Sequence, residues 1–179
     1  KLNELGADAL IVQDLGMARM IRALAPELPI HASTQMTVHN LAGVLACEKL
    51  GFTRVVLSRE LPLKEIEFIC KRSPVEIEVF VHGALCMCYS GQCYLSSAIG
   101  GRSGNRGLCA QPCRMQYSFP SSAPSYPLSL KDSSMARHLK GLEQAGVHTL
   151  KIEGRMKRPE YTALVTSNNK KALVENREP

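Results

Sequence analysis

Five of the seven cysteines fall between residues 86 and 113, and this clustering constrains the fold more than any other feature. They are Cys86, Cys88, Cys93, Cys109 and Cys113, while Cys47 and Cys70 stand apart in helix-like sequence. The stretch opens on the apolar, β-branched run Ile77 to Val81. It then passes into glycine-, serine- and arginine-rich sequence at Ser90-Gly91 and from Gly100 to Gly107. A strand running into such a loop is a device for wrapping backbone around something bound. Four explanations compete for the thiols. Disulfides need an oxidising compartment and suit small secreted scaffolds. Structural zinc takes ligand pairs two to four residues apart, and only Cys109 and Cys113 fit that spacing. An iron–sulfur cluster takes four thiolates and tolerates irregular spacing, and the absence of interleaved His or carboxylate favours such soft donors. Ordinary buried thiols explain Cys47 and Cys70 well but explain the local density poorly.

Around this stretch the chain reads as strand and helix in turn. The run at residues 9–13, apolar without alternation, reads as a buried parallel strand, and further strands are expected at 29–32, 53–57, 76–81, 126–130 and 148–152. Helices are expected over 17–24, from the N-cap candidate Asn40 to Leu50, over 63–71, from Ser133 or Ser134 to Gly146, and over 160–175. Lys1 to Gly6 reads as the end of a further helix. The period of about 20 to 24 residues matches βα repeats. Six such units point to α/β architecture, either part of a (β/α)8 barrel or an open parallel sheet. A complete barrel typically needs about 250 residues, and this chain has 179. The expected organisation is barrel units over 1–85, a Cys/Gly-rich insertion over 86–125 with an exposed linker at Pro120 to Pro124, and final barrel units over 126–179.

In parallel α/β folds the chemistry gathers at the C-terminal ends of the strands. Those ends are polar here: Asp14, Gln35, Arg59 and Glu60, His82, Lys131 and Asp132, and Glu153, Arg155 and Lys157. Some of these residues only cap helices. Arg59, Arg155 and Lys157 together would favour an anionic ligand such as a dicarboxylate or phosphate. His82, four residues before Cys86, is a proton-transfer candidate or a structural histidine; His31, inside a strand, reads as a core residue. Arg102 and Arg106, among glycines, could approach a phosphate backbone or simply cover the site. The net charge of +6 is compatible with a nucleic-acid partner. Trp is absent and aromatics make up 5%, so composition advertises no stacking platform for single-stranded RNA. No apolar run is long enough to cross a membrane.

The run Glu78-x-Phe80-x-x-Gly83-Ala84-Leu85-Cys86-x4-Gly91-x-Cys93-x-Leu95-Ser96 resembles the signature of the collagenase-like peptidase family U32. His31 to Met36, Leu57 to Leu61, Ser129 to Asp132 and Lys151 to Lys157 resemble segments of the same family, so the resemblance covers nearly the whole chain. It implies part of a TIM-like (β/α)8 barrel whose strands three to eight are those above, with two units expected upstream. It also implies a [4Fe-4S] cluster on Cys86, Cys93, Cys109 and Cys113, with Cys88 in reserve and zinc as the alternative metal. The activity implied is O2-independent hydroxylation of a pyrimidine in ribosomal or transfer RNA, with the anion prephenate as hydroxyl source, in the cytoplasm. Collagenase-like proteolysis, or hydroxylation of a quinone precursor, is the alternative. The catalytic candidates are His82, Arg59, Glu60, Lys131, Asp132, Glu153 and Arg155. The substrate-binding candidates are Gln35, Arg102, Arg106 and Lys157. Open barrel edges would favour a homo-oligomer.

Overall fold

The computed structural model describes residues 2–120, 122–155 and 157–175. Ser121 of the expected linker and Met156 of the Lys151–Lys157 segment lie outside the described residues. In chain order the elements are β1 (Leu10–Val12), α1 (Leu15–Leu24), β2 (Ile30–Ala32), α2 (Leu41–Lys49), β3 (Arg54–Val56), α3 (Leu63–Cys70) and β4 (Glu76–Gly83). They continue with α4 (Leu95–Gly100), β5 (Tyr117–Phe119), β6 (Ser122–Ser125), β7 (Ser133–Ser134), α5 (Leu139–Gln144), β8 (Thr149–Ile152) and α6 (Pro159–Glu175). The main sheet is mixed and mostly parallel. β1, β2, β3, β4 and β8 run side by side in parallel, and β7 joins β4 antiparallel.

The helix limits follow from local chemistry. The Asp14 side chain accepts from Met17 N and that of Asn40 from Gly43 N, each satisfying a first-turn donor. Gly51, with φ of +85°, ends α2 as expected. Residues 2–7 instead form a turn closed by Gly6 N–H to Asn3 O and Ala7 N–H to Leu2 O.

β4 carries the two-faced character of the sheet. Ile77, Val79 and Val81 are buried among Val55, Ile69, Leu139 and Leu142. The alternate residues Glu78 and Phe80 face polar company. Glu78 is 5% exposed, yet it holds Lys151 Nζ at 2.7 Å and Arg54 at 3.5 Å. Two neighbouring cations offset the desolvation of one buried carboxylate.

The expected strand over 126–130 does not form. Pro127 offers no N–H to a ladder, and Ser129 N–H closes a turn onto Tyr126 O. The strand that joins the sheet is β7, two residues long. Ser133 and Ser134 therefore do not cap α5, which starts at Leu139. The register slips between Phe80 and His82. Glu78 O accepts from Leu57 N and Ile77 O from His148 N, so regular alternation would turn Val81 O toward β8. Instead Val81 O accepts from Met135 N, beside β7, and His82 O accepts from Glu153 N, beside β8. A one-residue irregularity of this kind re-aims everything beyond it.

Candidate functional site

Beyond this irregularity the strand ends and the Cys-rich segment enclose a cavity of about 290 Å³. Cys86, Cys93, Cys109 and Cys113 all line it. Cys88 does not contribute to the wall. Cys47 is buried in the helix-side core, and Cys70 packs beside Gly146, so both are remote. The four thiols line the same cavity, but among the described residues no three His, Cys, Asp or Glu side chains converge tightly enough to hold a single metal ion. Burial pushes the thiols of Cys86 and Cys113 up. Arg59 opposes this at Cys86 and Arg114 at Cys113, while neighbouring thiols reinforce it. Gln111 N–H donates to Cys109 Sγ at 3.3 Å.

Four cations line the same cavity: Arg59, Arg114, Lys151 and Arg155, against the single carboxylate of Glu153. Arg59 Nη2 donates to Glu153 Oε2 at 3.0 Å, and its guanidinium lies 3.9 Å from the Phe80 ring centroid. Arg59 Nε is buried and has no partner among the described residues. The other oxygen of Glu153 accepts from Arg155 N at 3.0 Å. Arg155 also reaches Gly107 O, tying the Gly-rich loop to the last strand. Arg114 donates to Leu85 O at 3.0 Å and to Leu130 O, and lies 3.8 Å from Asp132.

A second recess of about 270 Å³ adjoins the first and shares Ala84, Gln111, Arg114 and Arg155 with it. Its remaining walls are Asp132 and Lys157, which pair at 3.2 Å. Three cations against one carboxylate leave this recess positive.

The loop that carries the first thiols is fixed to the strand ends. Glu60 Oε1 accepts from Ser90 N at 2.6 Å and from Ser90 Oγ at 3.0 Å. Thr37 Oγ1 donates to Ser90 O at 2.8 Å, and Gln92 Nε2 donates to Thr37 Oγ1 at 2.7 Å. A Cβ on Gly91 would lie 2.4 Å from Gln35 O, so the backbones approach as only glycine allows. Gln35 Nε2 donates to Gly104 O at 2.7 Å, holding the second part of the loop.

Of the polar residues expected at the mouth, Gln35, Arg59, Glu153 and Arg155 line the thiol cavity, and Asp132 and Lys157 line the recess beside it. Glu60 serves as the anchor for Ser90, outside both. Lys131 is exposed and lines neither. Arg102 braces its own loop, with Nε donating to Leu108 O at 3.0 Å, and Arg106 is exposed nearby. His82, a proton-transfer or structural candidate by sequence, lines neither space. The register slip turns it toward α6, where its ring meets Tyr161 edge-on at 6.0 Å. Sequence reasoning passed over Lys151, Arg114, Phe80 and Gln111. Strand alternation could have placed Lys151 on the same face as Phe80, since the two pair in register. Arg114 carries no local signal, because its partners at Leu85 and Leu130 are distant in sequence.

The model of peptidase family U32 matches residues 1–178. The chain is 40% identical to the 23S rRNA 5-hydroxycytidine C2501 synthase of Escherichia coli (strain K12), over 98% of this chain and 28% of that protein. It is 35% identical to tRNA hydroxylation protein P of the same organism, over 95% of this chain and 49% of that protein. It is also 35% identical to a protein named collagenase from Porphyromonas gingivalis, over 92% of this chain and 44% of that protein. The chain thus spans less than half the length of these relatives. A solved structure of a U32 peptidase superposes with a TM-score of 0.52 at 16% identity, over 88% of this chain and 59% of the other. From the match over 178 of its residues, the chain belongs to peptidase family U32.

Proposed function

We propose that this chain is the thiol-bearing part of an O2-independent RNA hydroxylase that acts on a pyrimidine base, and that its sheet forms part of a (β/α)8 barrel. The carrying observation is that Cys86, Cys93, Cys109 and Cys113, spread over 28 residues of chain, line one cavity together with four cations. The donor set fits a [4Fe-4S] cluster. It is all thiol, it is arranged around a space rather than gathered at one point, and cations beside it offset the charge of deprotonated sulfur. Such a cluster would supply one-electron redox chemistry at this wall. The two relatives named for ribosomal and transfer RNA hydroxylation support the substrate class.

The residues around the thiols bind and position. Arg59 is held by Glu153 and Phe80, so its charge stays at the cavity rather than swinging into solvent. Glu153 accepts from Arg59 with one oxygen and from the Arg155 N–H with the other, and so orients both. The positive recess of Arg114, Arg155 and Lys157 suits a small carboxylate donor such as prephenate, which arginine forks match geometrically. The peptidase alternative gains nothing from the cavity. A thiol nucleophile needs an imidazole partner, and His82 faces Tyr161.

Nucleoside mass spectrometry of ribosomal and transfer RNA from a deletion strain tests the reading. One hydroxylated pyrimidine is expected to vanish and to return with the wild-type gene. Cys93→Ala should fail to restore it, and Arg155→Ala should fail while retaining iron. Unchanged RNA alongside gelatin cleavage that is lost in Cys86→Ala would establish the peptidase reading instead.

A further inference from the structure

The chain has nine aromatic residues, five Tyr and four Phe. Five of them are exposed, and four of those five, Tyr89, Tyr94, Phe119 and Tyr126, sit in or beside the Cys-rich segment. The fifth, Phe68, is covered by the Arg72 guanidinium at 4.0 Å. Tyr89 is 72% and Tyr94 61% exposed, so neither ring contributes to the core. Both flank the thiol cavity: Tyr89 precedes Ser90, and Tyr94 lies between Cys93 and Leu95, all three of them cavity-lining. One peptide step is about 3.8 Å, which places both backbones at its rim.

The segment between them is held on several sides. Ser90 is clamped by Glu60 and Thr37, Gln92 is tied to Thr37, and Gly91 is pressed against Gln35. Two large rings are thus held in water on a fixed backbone beside the cavity, with their faces free for a ligand. We propose that Tyr89 and Tyr94 form a stacking platform for unpaired bases of single-stranded RNA at the mouth of the thiol-lined cavity. The proposal rests on the RNA-hydroxylation reading and names the form of RNA the site takes.

Stacking needs an open base face, which a continuous duplex does not present and a loop or single strand does. The fixed loop lowers the ordering cost on binding. Charge agrees with geometry. Arg102 and Arg106 are exposed on the Gly-rich loop, which Gln35 and Arg155 tie to the same mouth, where they can meet backbone phosphates.

Fluorescence anisotropy with the full-length protein tests this, using a labelled pyrimidine-rich single-stranded RNA and the duplex of the same sequence. Tyr94→Ala and Tyr89→Ala should each weaken single-strand binding roughly tenfold, the size of one lost stack. Tyr94→Phe should stay within about twofold, since the ring is kept. Duplex binding and iron content should not change in any variant. Photo-crosslinks from the single strand should map to the peptide holding Tyr89 and Tyr94. Alanine variants that bind single strands like wild type, or that lose single strand and duplex alike, overturn the platform while leaving the hydroxylase reading intact. Wild-type protein that binds neither RNA brings down both.

Discussion

Arg59 and Glu153 stand 94 residues apart in sequence and pair at 3.0 Å at the cavity wall. The contact joins the end of β3 to the end of β8, across β4. Both side chains are partly buried, at 15% and 24% exposure. Their charges are therefore less screened than a surface pair, and Arg59 would be left over Phe80 without a counter-ion if Glu153 were removed.

Glu153→Ala should lower stability by about 1–3 kcal/mol, between the values for exposed and fully buried pairs. Urea unfolding midpoints at constant m-value measure it. Arg59→Ala should cost a similar amount, and the double variant less than the sum, because the two share one interaction. Strict additivity would show that the pair contributes nothing.

Gly91→Ala should disturb the loop far more than Gly101→Ala. Both glycines have positive φ, +78° and +66°. Only at Gly91 would the new Cβ meet backbone, with Gln35 O at 2.4 Å; at Gly101 the space is open. Gly101→Ala should cost about 1 kcal/mol of backbone strain. Gly91→Ala should add displacement of the segment from Cys86 to Cys93, seen as faster limited proteolysis there.

The thiols should divide by location. Serine at Cys93 should abolish iron and acid-labile sulfide in anaerobically purified protein. Serine at Cys47, buried in the helix-side core, should lower stability but leave iron in place. Equal iron loss in both variants would contradict the assignment of the cavity.

Burial pushes the Cys70 thiol up to about 11. Because the thiolate is the nucleophile, alkylation by iodoacetamide at pH 8 should run at least tenfold slower at Cys70 than in a short unstructured peptide. Above the ordinary thiol value of 9.0 the unfolded chain releases a proton that the folded chain retains. Cys70's contribution is therefore fully present below that value and is lost as pH rises through about 11. Cys70→Ala should flatten the fall in urea midpoint over this range.

Local chemistry made much of the molecule legible in the sequence. Asp14 and Asn40 cap the helices they precede, and Gly51 ends α2, because each acts within one turn of chain. Strand-like runs located β1 to β4 and β8 within a residue or two at each end, because their core-facing side chains, Ile77, Val79 and Val81 in β4 among them, are apolar and β-branched or long. Cysteine spacing separated the cavity thiols from Cys47 and Cys70 for the same local reason.

Tertiary structure alone decided which strand-end residues face the cavity. A single register slip in β4 sends His82 to Tyr161, while Phe80, before the slip, lies under Arg59. Pairing across strands brought Lys151 to Glu78, and the loop's return path brought Arg114 to Leu85 and Leu130. Pro127 displaced the expected strand and left the two-residue β7 to join the sheet. Each of these depends on contacts between residues far apart in the chain. Strand registers and loop closures set those contacts, and no window of neighbouring residues encodes them.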